Sequence, residues 1–547
     1  MALSQKVQRL DGVVVAMVGM GTPLNLDILE NLKFKTTGGE GEGEGSNASA
    51  NANANANANA SAGPGPNDLI IAIRAESSEA LEKALVSVEE MMNNGGKKVS
   101  GENQAPLRSY VQAKERQDCN LVLISVPGAY AAREARKALE ENLNVMLFSD
   151  NVSLEDEVRL KRLAHEKGLL LMGPDCGTAI INGVPLAFAN LVRRGVIGVV
   201  GASGTGTQEV TVQIDRMGEG LSQVLGTGGR DLKEAVGGFM MLDGIEALKQ
   251  DPETKVIVVV SKPAAPLVAD KVFQALKECG KPSVLYVIGA KETHVNVIGD
   301  RDGDGHVDAS GSGNANEKKN VHVAKNLLEA AQIATKLAGG TPAVKGVINQ
   351  TLVVEKVSNL KPGQKYVRGL FSGGTLCDET MEVLTEKIGL IYSNGPLDPA
   401  GQLENPNVSV KNTILDLGDD YFTVGRPHPM IDLSLRIKRL EEEAADAEVA
   451  VILLDIVLGY GSHINPALEM VPAIQKAQML AAQAQREIIF VAYVCGSAQD
   501  PQGTEKQTQQ FRDAGVLVFP SNVEAAEFTG AVISHQVNDH LVEGGEK

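Results

Sequence analysis

Aromatic residues and long hydrophobic runs are both scarce in this chain of 547 residues. Tryptophan is absent and aromatic residues make up only 3% of the sequence, whereas hydrophobic residues as a whole make up 43%. Several hydrophobic cores built from aliphatic side chains are therefore expected. The longest apolar runs, such as Val256 to Val260, are far below the roughly 18 residues that a membrane-spanning helix needs. The first residues also lack the apolar stretch of a secretory signal, so we expect a globular protein that is neither secreted nor inserted into a membrane.

Paired cysteines and an excess of positive charge are also missing. The five cysteines are isolated, and no C-x-x-C pair predicts a zinc or dithiol site. We therefore predict a reduced, cytosolic protein with no metal centre. The chain carries 51 Lys and Arg against 69 Asp and Glu, which gives a net charge of −18. Because nucleic acids and anionic membranes attract positive charge, neither is an expected partner.

Two segments have too little apolar content to support a folded core. Residues 36–67 contain Glu-Gly repeats and alternating Asn-Ala, and residues 297–319 are rich in Gly, Asp and Asn. We predict that both are disordered insertions between folded elements. The second contains Asp300 to Asp308, which matches the beginning of a calcium-binding loop. Its twelfth position is Gly311 where such a loop needs a bidentate Glu, so we prefer a solvated acidic insertion and keep calcium binding as the alternative.

Elsewhere the chain alternates aliphatic runs, Gly or Pro loops and helical stretches. This alternation is typical of parallel α/β units. We therefore predict a multi-domain α/β protein with a Rossmann-like domain and two further α/β domains. The predicted segments are a small α/β domain over residues 1–115, the Rossmann-like domain over 116–193, the first further domain over 194–340, a linker over 341–365 and the second further domain over 366–547.

Residues 366–547 look like a repeat of residues 194–340. Both segments open with a strand, a Ser-Gly-rich loop and a helix that carries an acid, as in Ala202 to Glu209 and in Phe371 to Glu379. Both later place Met-x-Asp before a helix and an apolar strand. The spacing differs by several residues, so internal duplication is a hypothesis that the sequence supports without settling.

A glycine-rich loop, Gly201-Ala-Ser-Gly-Thr-Gly-Thr207, follows a buried strand and precedes a helix. Such a loop can direct backbone amides and the positive end of the helix onto an anion. It lacks the Lys of a Walker loop and the G-x-G-x-x-G spacing, so neither nucleotide fingerprint is met. The alternative is a tight turn that needs glycine for its geometry. The predicted binding residues are Ser203, Gly204, Thr205 and Gly206 in this loop, and Ser372, Gly373, Gly374 and Thr375 in its repeat.

A third glycine-rich loop, Gly226-Thr-Gly-Gly-Arg230, follows the next predicted strand. It lies at the carboxyl edge, where open parallel sheets gather their ligands. We predict that Gly228 and Gly229 contribute to binding and that Arg230 forms a forked contact with a carboxylate or phosphate. The alternative is a surface arginine that faces Asp231.

The densest polar cluster is Leu415-Asp-Leu-Gly-Asp-Asp420 followed by Gly425-Arg-Pro-His-Pro429. The two prolines hold His428 in a rigid loop. His428 suits a proton donor or acceptor, and Arg426 suits a bidentate anion clamp. The alternative is a rigid surface turn; His463 likewise belongs either to this edge or to a helix-capping turn. The predicted catalytic group is Arg230, Arg426, His428 and Asp432.

Five strings of the sequence carry a resemblance to a known family: Met172 to Leu186, Val200 to Gly206, Gly226 to Leu232, Ser372 to Leu376 and Gly425 to Asp432. With them the chain resembles the FdrA family of the succinyl-CoA synthetase superfamily, over most of its length outside the two insertions. The resemblance implies that the Rossmann-like domain is of the CoA-binding type. It also implies that the two domains after it are flavodoxin-like and of the succinyl-CoA-ligase type.

Two features of the synthetases are missing from the chain. Those enzymes carry a phosphoryl group on a histidine in a Gly-His-Ala-Gly-Ala loop, whereas the corresponding stretch here is Gly289-Ala-Lys-Glu-Thr-His294. His294 does not match the motif, so the resemblance does not extend to a phosphohistidine relay. The short, interrupted first domain leaves no room for an ATP-grasp domain, so a ligase reaction would need another chain.

Within the family, the chain is similar to a subunit of oxamate carbamoyltransferase, which acts in allantoin breakdown and exchanges a carbamoyl group between oxalurate and phosphate. This implies a subunit that binds phosphate, carbamoyl phosphate and oxamate-type acids, works with other subunits and needs no cofactor. One alternative is an NDP-forming acyl-CoA synthetase, which would use CoA and ATP or ADP. The other is a non-catalytic scaffold that binds CoA or a metabolite.

Overall fold

The structure is a computed structural model that describes residues 12–20, 68–94, 107–289, 320–423 and 426–543, with residues 7, 10, 26, 29, 34, 300–301 and 307–308. The predicted insertion at 36–67 lies outside the described residues. Within the insertion at 297–319 only Asp300–Arg301 and Val307–Asp308 are described, as a short antiparallel pair. Disorder and calcium binding in these segments therefore stay predictions. The chain divides into two compact units, Met1–Pro106 and Leu107–Lys547.

The first unit contains one antiparallel strand pair and a helix. Strand β1 (Val13–Met20) pairs with β2 (Leu69–Ala75), and helix α1 (Ser78–Asn94) follows. Ala84 and Val88 of this helix are buried in one cluster with Ile73 of β2. The aliphatic side chains of the two strands thus pack against one helix. A sheet of two strands needs such packing to be stable.

The second unit begins with a parallel three-stranded sheet of order β3-β4-β5. Ser153 caps the last of its helices, because its Oγ accepts the Asp156 backbone N–H at 3.1 Å. The elements are α2 (Tyr110–Arg116), β3 (Leu121–Ile124), α3 (Gly128–Glu140), β4 (Asn144–Leu147), α4 (Leu154–Glu166) and β5 (Leu171–Met172).

A seven-stranded sheet of order β14-β11-β10-β8-β9-β6-β7 follows. Its strands are β6 (Thr178–Ile181), β7 (Val184–Ala187), β8 (Arg194–Ala202), β9 (Leu221–Gly226), β10 (Val256–Ser261), β11 (Ser283–Val287) and β14 (Val321–Val323), with the pair β12 (Asp300–Arg301) and β13 (Val307–Asp308) between the last two. Its helices are α5 (Gly204–Arg216), α6 (Phe239–Gln250), α7 (Pro266–Glu278) and α8 (Leu327–Ala338).

The last sheet has five parallel strands in the order β16-β15-β17-β18-β19. Its strands are β15 (Tyr366–Phe371), β16 (Thr413–Asp416), β17 (Val449–Val457), β18 (Ile489–Cys495) and β19 (Leu517–Phe519). The helices, counted from the linker onward, are α9 (Gln350–Ser358), α10 (Gly374–Ile388), α11 (Asp420–Thr423), α12 (Ser434–Ala445), α13 (Pro466–Gln483), α14 (Thr504–Asp513) and α15 (Asn522–Glu543).

The two larger sheets share one topology. Numbered by their own chain order, β8, β9, β10, β11 and β14 lie in the order 2-1-3-4-5, and so do β15, β16, β17, β18 and β19. This is the flavodoxin-like order, whose ligand crevice lies at the carboxyl ends of the strands where the order reverses. The structure thus agrees with the predicted α/β class and with the hypothesis of duplication.

The seven-stranded sheet begins before the boundary predicted at 193/194. Strands β6 and β7 form a hairpin that pairs with β9 in antiparallel orientation. The hairpin turn is Asn182-Gly183, both with positive φ, 51° and 79°, as a two-residue hairpin turn requires. Residues 178–187, which the prediction placed in the Rossmann-like segment 116–193, therefore belong to the sheet of the next segment.

No helix among the residues that the structure describes is long and apolar enough to cross a bilayer.

Candidate active site

The two repeated glycine-rich loops contact each other at the starts of the helices that follow them. Helix α5 begins at Gly204 after β8, and helix α10 begins at Gly374 after β15. Ser203 Oγ lies 2.6 Å from Thr375 Oγ1, and a Cβ added to Gly373 would stand 2.7 Å from a methyl carbon of the Thr205 side chain. Because each helix N-terminus carries about half a positive charge, this meeting point attracts an anion.

The first loop has the local structure of a capped helix start. Ser203 is the N-cap of α5, with φ −164° and ψ 121°, and its Oγ accepts the Gly206 N–H at 3.0 Å. A Cβ on Gly206 would lie 2.4 Å from that Oγ and 2.6 Å from the Thr375 methyl carbon. Glycine is therefore needed at Gly206 because the two loops approach so closely.

Only part of each loop remains free to bind a ligand. Ser372 and Gly373 donate their backbone N–H groups to the two oxygens of Asp455, both at 2.8 Å. In contrast, the first amides of each helix, at Gly204, Thr205, Gly374 and Thr375, have no hydrogen-bond partner in the part of the chain that the structure describes. These are the orphan donors of a helix start. The backbone amides left for a ligand are thus those of the helix starts and not those of Ser372 and Gly373.

Each of the two helices also carries a buried glutamate that caps a helix of the other repeat. Glu379 of α10 accepts the Leu327 N–H at the start of α8, at 2.8 Å, and the Asn522 side-chain amide, also at 2.8 Å. Glu209 of α5 accepts the Tyr493 hydroxyl and the Asn522 backbone N–H at the start of α15. Burial raises the pKa of both carboxyl groups, that of Glu379 to about 8. These hydrogen bonds between the repeats fix the position of each of the two helices relative to the other repeat.

A cavity of about 460 Å³ lies at this junction. Loops from all three sheets of the second unit line it, in keeping with the rule that parallel sheets bind ligands at the carboxyl ends of their strands. Gly206 and Gly373 belong to the same loops without lining the cavity. The predicted residues that do line it are Ser203, Gly204, Thr205, Gly228, Gly229, Ser372, Gly374, Thr375 and His428.

The third loop, after β9, is held tightly against the segment that enters β6. Gly228 has φ +82°, and a Cβ there would stand 2.2 Å from the Pro174 carbonyl oxygen. The Thr227 N–H donates to the Gly201 carbonyl at 2.8 Å, which ties this loop to the first one. Glycine at position 228 is therefore required both by the backbone conformation and by the close approach.

Lys262 and Asp416 extend the site beyond the predicted residues, with Asp378 acting on both electrostatically. Lys262 follows β10 and lines the cavity, where a Cβ on Gly374 would lie 3.2 Å from its Nζ and 2.5 Å from Asp416 Oδ2. Burial raises the pKa of Asp416 to about 7 and that of Asp378 to about 6, although Lys262 opposes both shifts. Burial lowers the pKa of Lys262, but Asp378 and Asp416 raise it overall, so the ammonium stays charged.

His428 lines the cavity as a neutral hydrogen-bond donor. Its Nδ1 accepts the Met430 backbone N–H at 3.2 Å, so in the neutral ring the proton sits on Nε2. The ring packs on Phe188, with ring centroids 5.4 Å apart. Burial and the nearby Arg436 guanidinium lower the pKa of His428 to about 4. The imidazole therefore presents an N–H, and not a free lone pair, at Nε2 near neutral pH.

Three of the four predicted catalytic residues do not line the cavity. Arg230 instead contacts Glu157 Oε2 at 2.9 Å through Nε and donates to the Val152 carbonyl at 2.8 Å. The physical reason is a buried ion cluster on α4, in which Glu157 already pairs with the fully buried Lys161 at 3.0 Å. Arg230 completes that cluster, because a buried carboxylate needs full pairing. It thus fastens the third loop to α4.

Arg426 and Asp432 flank the cavity residue His428 in sequence but lie elsewhere. The Arg426 side chain is exposed, which fits the alternative of a surface turn. Asp432 accepts the Ser434 N–H at 2.9 Å and so shapes the start of α12. His463 pairs with Glu469 at 3.0 Å, which fits the helix-capping interpretation.

The site residues that were not predicted differ in whether the sequence contains a signal for them. Lys262 lies just after a predicted strand. Gly228 was predicted as a site residue because ligands bind at the carboxyl ends of parallel strands, and the same reason applies to Lys262. Asp175 lines the cavity and stands inside the string from Met172 to Leu186 that carried the family resemblance. Phe188 has no such signal, because its place depends on the β6–β7 hairpin.

Three family models match the chain. A CoA-ligase model matches residues 370–532, a CoA-binding domain model matches residues 193–289, and a model described as AllF, heavy metal-associated domain, matches residues 1–46. The CoA-binding match falls on the segment that the resemblance assigned to the first ligase-type domain, and not on 116–193. The segment 1–46 contains no cysteine.

The chain is similar over nearly its whole length to a bacterial protein. The uncharacterized protein YahF of Escherichia coli strain K12 is 46% identical over 525 residues, which cover 95% of this chain and 93% of YahF. The chain therefore belongs to the FdrA- and AllF-like family of the succinyl-CoA synthetase superfamily, as the sequence motifs indicated. The α subunit of ADP-forming succinate–CoA ligase from Aquifex aeolicus is 30% identical over 202 residues, 36% of this chain and 64% of that subunit.

Solved structures resemble the chain only distantly. The ATP citrate lyase of Methanothrix soehngenii in complex with citrate and coenzyme A is 12% identical and covers 80% of this chain and 85% of its own, with a TM-score of 0.34. This likeness is too weak to bear on the site.

Proposed function

We propose that the chain is a subunit of a carbamoyl or acyl transferase of the oxamate carbamoyltransferase type. The observation that carries the proposal is the meeting of the two helix starts, at Gly204 and Gly374, in one cavity. Free amides at both starts suit a phosphate or acyl phosphate, which has oxygens on every side. The other subunits of the transferase are the expected partners, and the cytosol is the expected compartment.

The proposed reaction converts oxalurate and phosphate to oxamate and carbamoyl phosphate. A phosphate oxygen attacks the carbamoyl carbon, the bond from that carbon to the oxamate nitrogen breaks, and the proton of the hydrogen phosphate passes to that nitrogen. Negative charge develops on the carbamoyl oxygen in the transition state, where a preorganised donor is most effective. His428 Nε2–H would supply that donor, and Asp416, with its pKa raised to about 7, would carry the proton.

The second candidate is an NDP-forming acyl-CoA synthetase. The matches to the CoA-binding and CoA-ligase models favour it, and it would use CoA with ATP or ADP. Such an enzyme needs a histidine that accepts a phosphoryl group, whereas His428 carries its proton on Nε2 and holds Nδ1 in a hydrogen bond. His294 lies outside the described residues. We therefore prefer the transferase.

Calorimetric titration of the full chain with carbamoyl phosphate, and separately with CoA, tests the proposal. A Cβ at Gly204 would meet only Thr178 Oγ1, at 3.7 Å, so the backbone there has room for a Cβ, and Gly204→Val places a side chain at the cavity wall. The matched control is Gly363→Val, where a Cβ would meet nothing within 4 Å. We expect wild type and control to bind carbamoyl phosphate and Gly204→Val to bind it more than tenfold more weakly.

Other outcomes decide between the candidates. CoA binding that Gly204→Val weakens, with no binding of carbamoyl phosphate, would replace the transferase with the synthetase. Acid-labile label on a histidine after incubation with ATP labelled in the γ-phosphate would do the same. If neither compound binds, the site does not work as proposed and a scaffold role takes its place.

A further inference from the structure

Gln208 of α5 is a buried side chain whose amide is hydrogen-bonded at one end only. Gln208 is 1% exposed and lines the cavity one helical turn after Gly204. Its Nε2 donates to Asn190 Oδ1 at 3.0 Å and to the Leu458 carbonyl at 3.4 Å. Its Oε1 has no hydrogen-bond partner among the residues that the structure describes. Because buried polar atoms are normally paired, this oxygen is available to a donor on a molecule that enters the cavity.

The orientation of the Gln208 amide is set by the hydrogen bonds behind it. Asp500 accepts the Asn190 side-chain amide at 2.7 Å. It also accepts the backbone N–H groups of Leu191 and Ser497, at 2.8 and 2.7 Å, and these bonds oppose the rise in its pKa that burial causes. Since a carboxylate only accepts, Asn190 turns Nδ2 toward Asp500 and Oδ1 toward Gln208. A flipped Gln208 amide would place two oxygens against each other, so Nε2 faces Asn190 and Oε1 stays unpaired.

Other buried glutamines of the second unit use both ends of the amide. Gln502 donates to the Gly459 carbonyl at 2.7 Å and accepts the Gly459 N–H at 3.1 Å. Gln364 and Gln507 are likewise hydrogen-bonded at both ends. The contacts of Gln208 within the fold need its Nε2 alone. A buried acceptor without a partner costs free energy, and a donor on a ligand removes that cost.

Gln208 also differs in chemistry from the other polar groups at the cavity. The amides at the two helix starts, Lys262 and His428 Nε2–H are donors, which suit the oxygens of a ligand. Asp175 and Asp416 are acceptors, but burial raises their pKa values to about 6 and about 7, so both change charge near neutral pH. Gln208 Oε1 is a neutral acceptor at every such pH and therefore complements a neutral N–H. A carbamoyl or primary amide group carries such an N–H beside its carbonyl oxygen.

We propose that Gln208 is a specificity-determining residue, whose Oε1 accepts an N–H of a carbamoyl or amide group in the substrate and so selects that group over an acyl group that ends in a methyl. The inference rests on the proposed function and separates the carbamoyl member from the acyl member of the class named there. A methyl group would displace water from Oε1 and leave the oxygen unpaired, which is how sites built to hydrogen-bond an N–H reject analogues without one. Asn190 and Asp500 act as positioning residues, because they orient the amide without lining the cavity.

Calorimetric titration of the full chain with carbamoyl phosphate, and separately with acetyl phosphate, tests the inference, because the two compounds differ only in an NH₂ against a CH₃ group. The variants are Gln208→Met, which keeps the length of the side chain without the acceptor, and Gln274→Met on the exposed face of α7 as the control. We expect wild type and control to bind carbamoyl phosphate more than about tenfold more tightly than acetyl phosphate. In Gln208→Met the two affinities should differ by less than about twofold.

The remaining outcomes separate the inference from the proposed function. A preference for carbamoyl phosphate that Gln208→Met leaves unchanged would overturn the role of Gln208 and leave the proposed function standing. Equal affinity of wild type for the two compounds would do the same. Failure of wild type to bind either compound would overturn the proposed function and the inference with it.

A crystal structure of the wild-type chain with carbamoyl phosphate removes the dependence on a folded variant. We expect the carbamoyl nitrogen about 2.9 Å from Gln208 Oε1. A carbamoyl nitrogen that contacts a different acceptor would overturn the inference, even where the bound compound supports the proposed function.

Discussion

At the scale of single residues, the site is decided by which polar atoms already have partners. Arg230 was expected to bind an anion beside Gly228, yet Glu157 and the Val152 carbonyl occupy its guanidinium. Lys262 lines the same cavity, and no residue that the structure describes forms an ion pair with its ammonium. The rule that parallel sheets bind ligands at the carboxyl ends of their strands identifies the residues that follow a strand. It cannot show which of these residues already form bonds with other elements.

The neutral tautomer of His428 leads to a prediction about transfer activity. In the complete enzyme with its other subunits, His428→Leu should lower kcat about a hundredfold, because one donor to the developing oxyanion is lost. Phosphate affinity should change less than twofold, because the helix starts remain. Steady-state kinetics and phosphate titration check this together.

His428→Gln is the control for that result. Its side-chain amide can place a donor near the Nε2 position, so it should recover part of the lost kcat. If both variants lose phosphate affinity as much as kcat, His428 acts in binding or folding, and the donor role is wrong.

The raised pKa of Asp416 predicts how anion affinity changes with pH. Sulfate is the suitable probe, because it remains a dianion between about pH 5.5 and 8. Asp416 is protonated and neutral below its pKa of about 7 and negative above it, so sulfate affinity should fall as pH rises through 7. Calorimetry should show a flatter profile for Asp416→Asn and an unchanged one for the exposed control Asp270→Asn. A profile for Asp416→Asn as steep as that of wild type would contradict the assignment.

At the scale of secondary-structure elements, the two repeats stabilise each other's helices. Glu379 accepts hydrogen bonds from Leu327 and Asn522 while fully buried. Glu379→Ala should lower the free energy of unfolding by about 2 to 4 kcal/mol, because it leaves the Leu327 N–H unpaired, removes one hydrogen bond of the Asn522 amide and creates a cavity. Glu386→Ala, on the exposed side of the same helix, should change it by less than about 0.5 kcal/mol. Denaturant unfolding checks both, and equal effects would show that the cap is not important.

The third loop allows backbone strain to be separated from steric clash. Gly168 and Gly228 both have positive φ, 65° and 82°, but a Cβ meets nothing within 4 Å at Gly168 and lies 2.2 Å from Pro174 O at Gly228. Gly168→Ala should therefore cost only the strain, about 1 to 2 kcal/mol. Gly228→Ala should cost more and should also weaken phosphate binding, because the loop must move. Thermal unfolding and titration test this, and equal costs would contradict the close approach.

At the scale of the whole molecule, the cavity belongs entirely to the second compact unit. Its lining residues all lie between Ser125 and Ile431, within Leu107–Lys547. We therefore predict that residues 107–547 produced alone fold and bind phosphate within about twofold of the full chain. Circular dichroism and calorimetry check this. Loss of binding in a folded fragment would mean that residues 1–106 take part in the site.

Much of the fold could be predicted from the sequence. Strands such as Val256–Ser261 are aliphatic at every position but the last, and the alternation of strands with helices predicts a parallel sheet. The loops at Gly204 and Gly374 were recognisable because each joins a strand end to a helix start. The boundary at 193/194 was less accurate, because β6 and β7 join their sheet by a hairpin whose pairing partner, β9, comes later in the chain.

The sequence by itself determined which residues reach the carboxyl edges of the sheets, because alternation and strand length depend on local side chains. The tertiary structure alone decided that Ser203 meets Thr375, that Lys262 stands beside Gly374, and that Arg230 turns away toward Glu157. Contacts between residues so far apart in the chain depend on how whole sheets pack. Only that packing shows which charges are paired and which remain for a ligand.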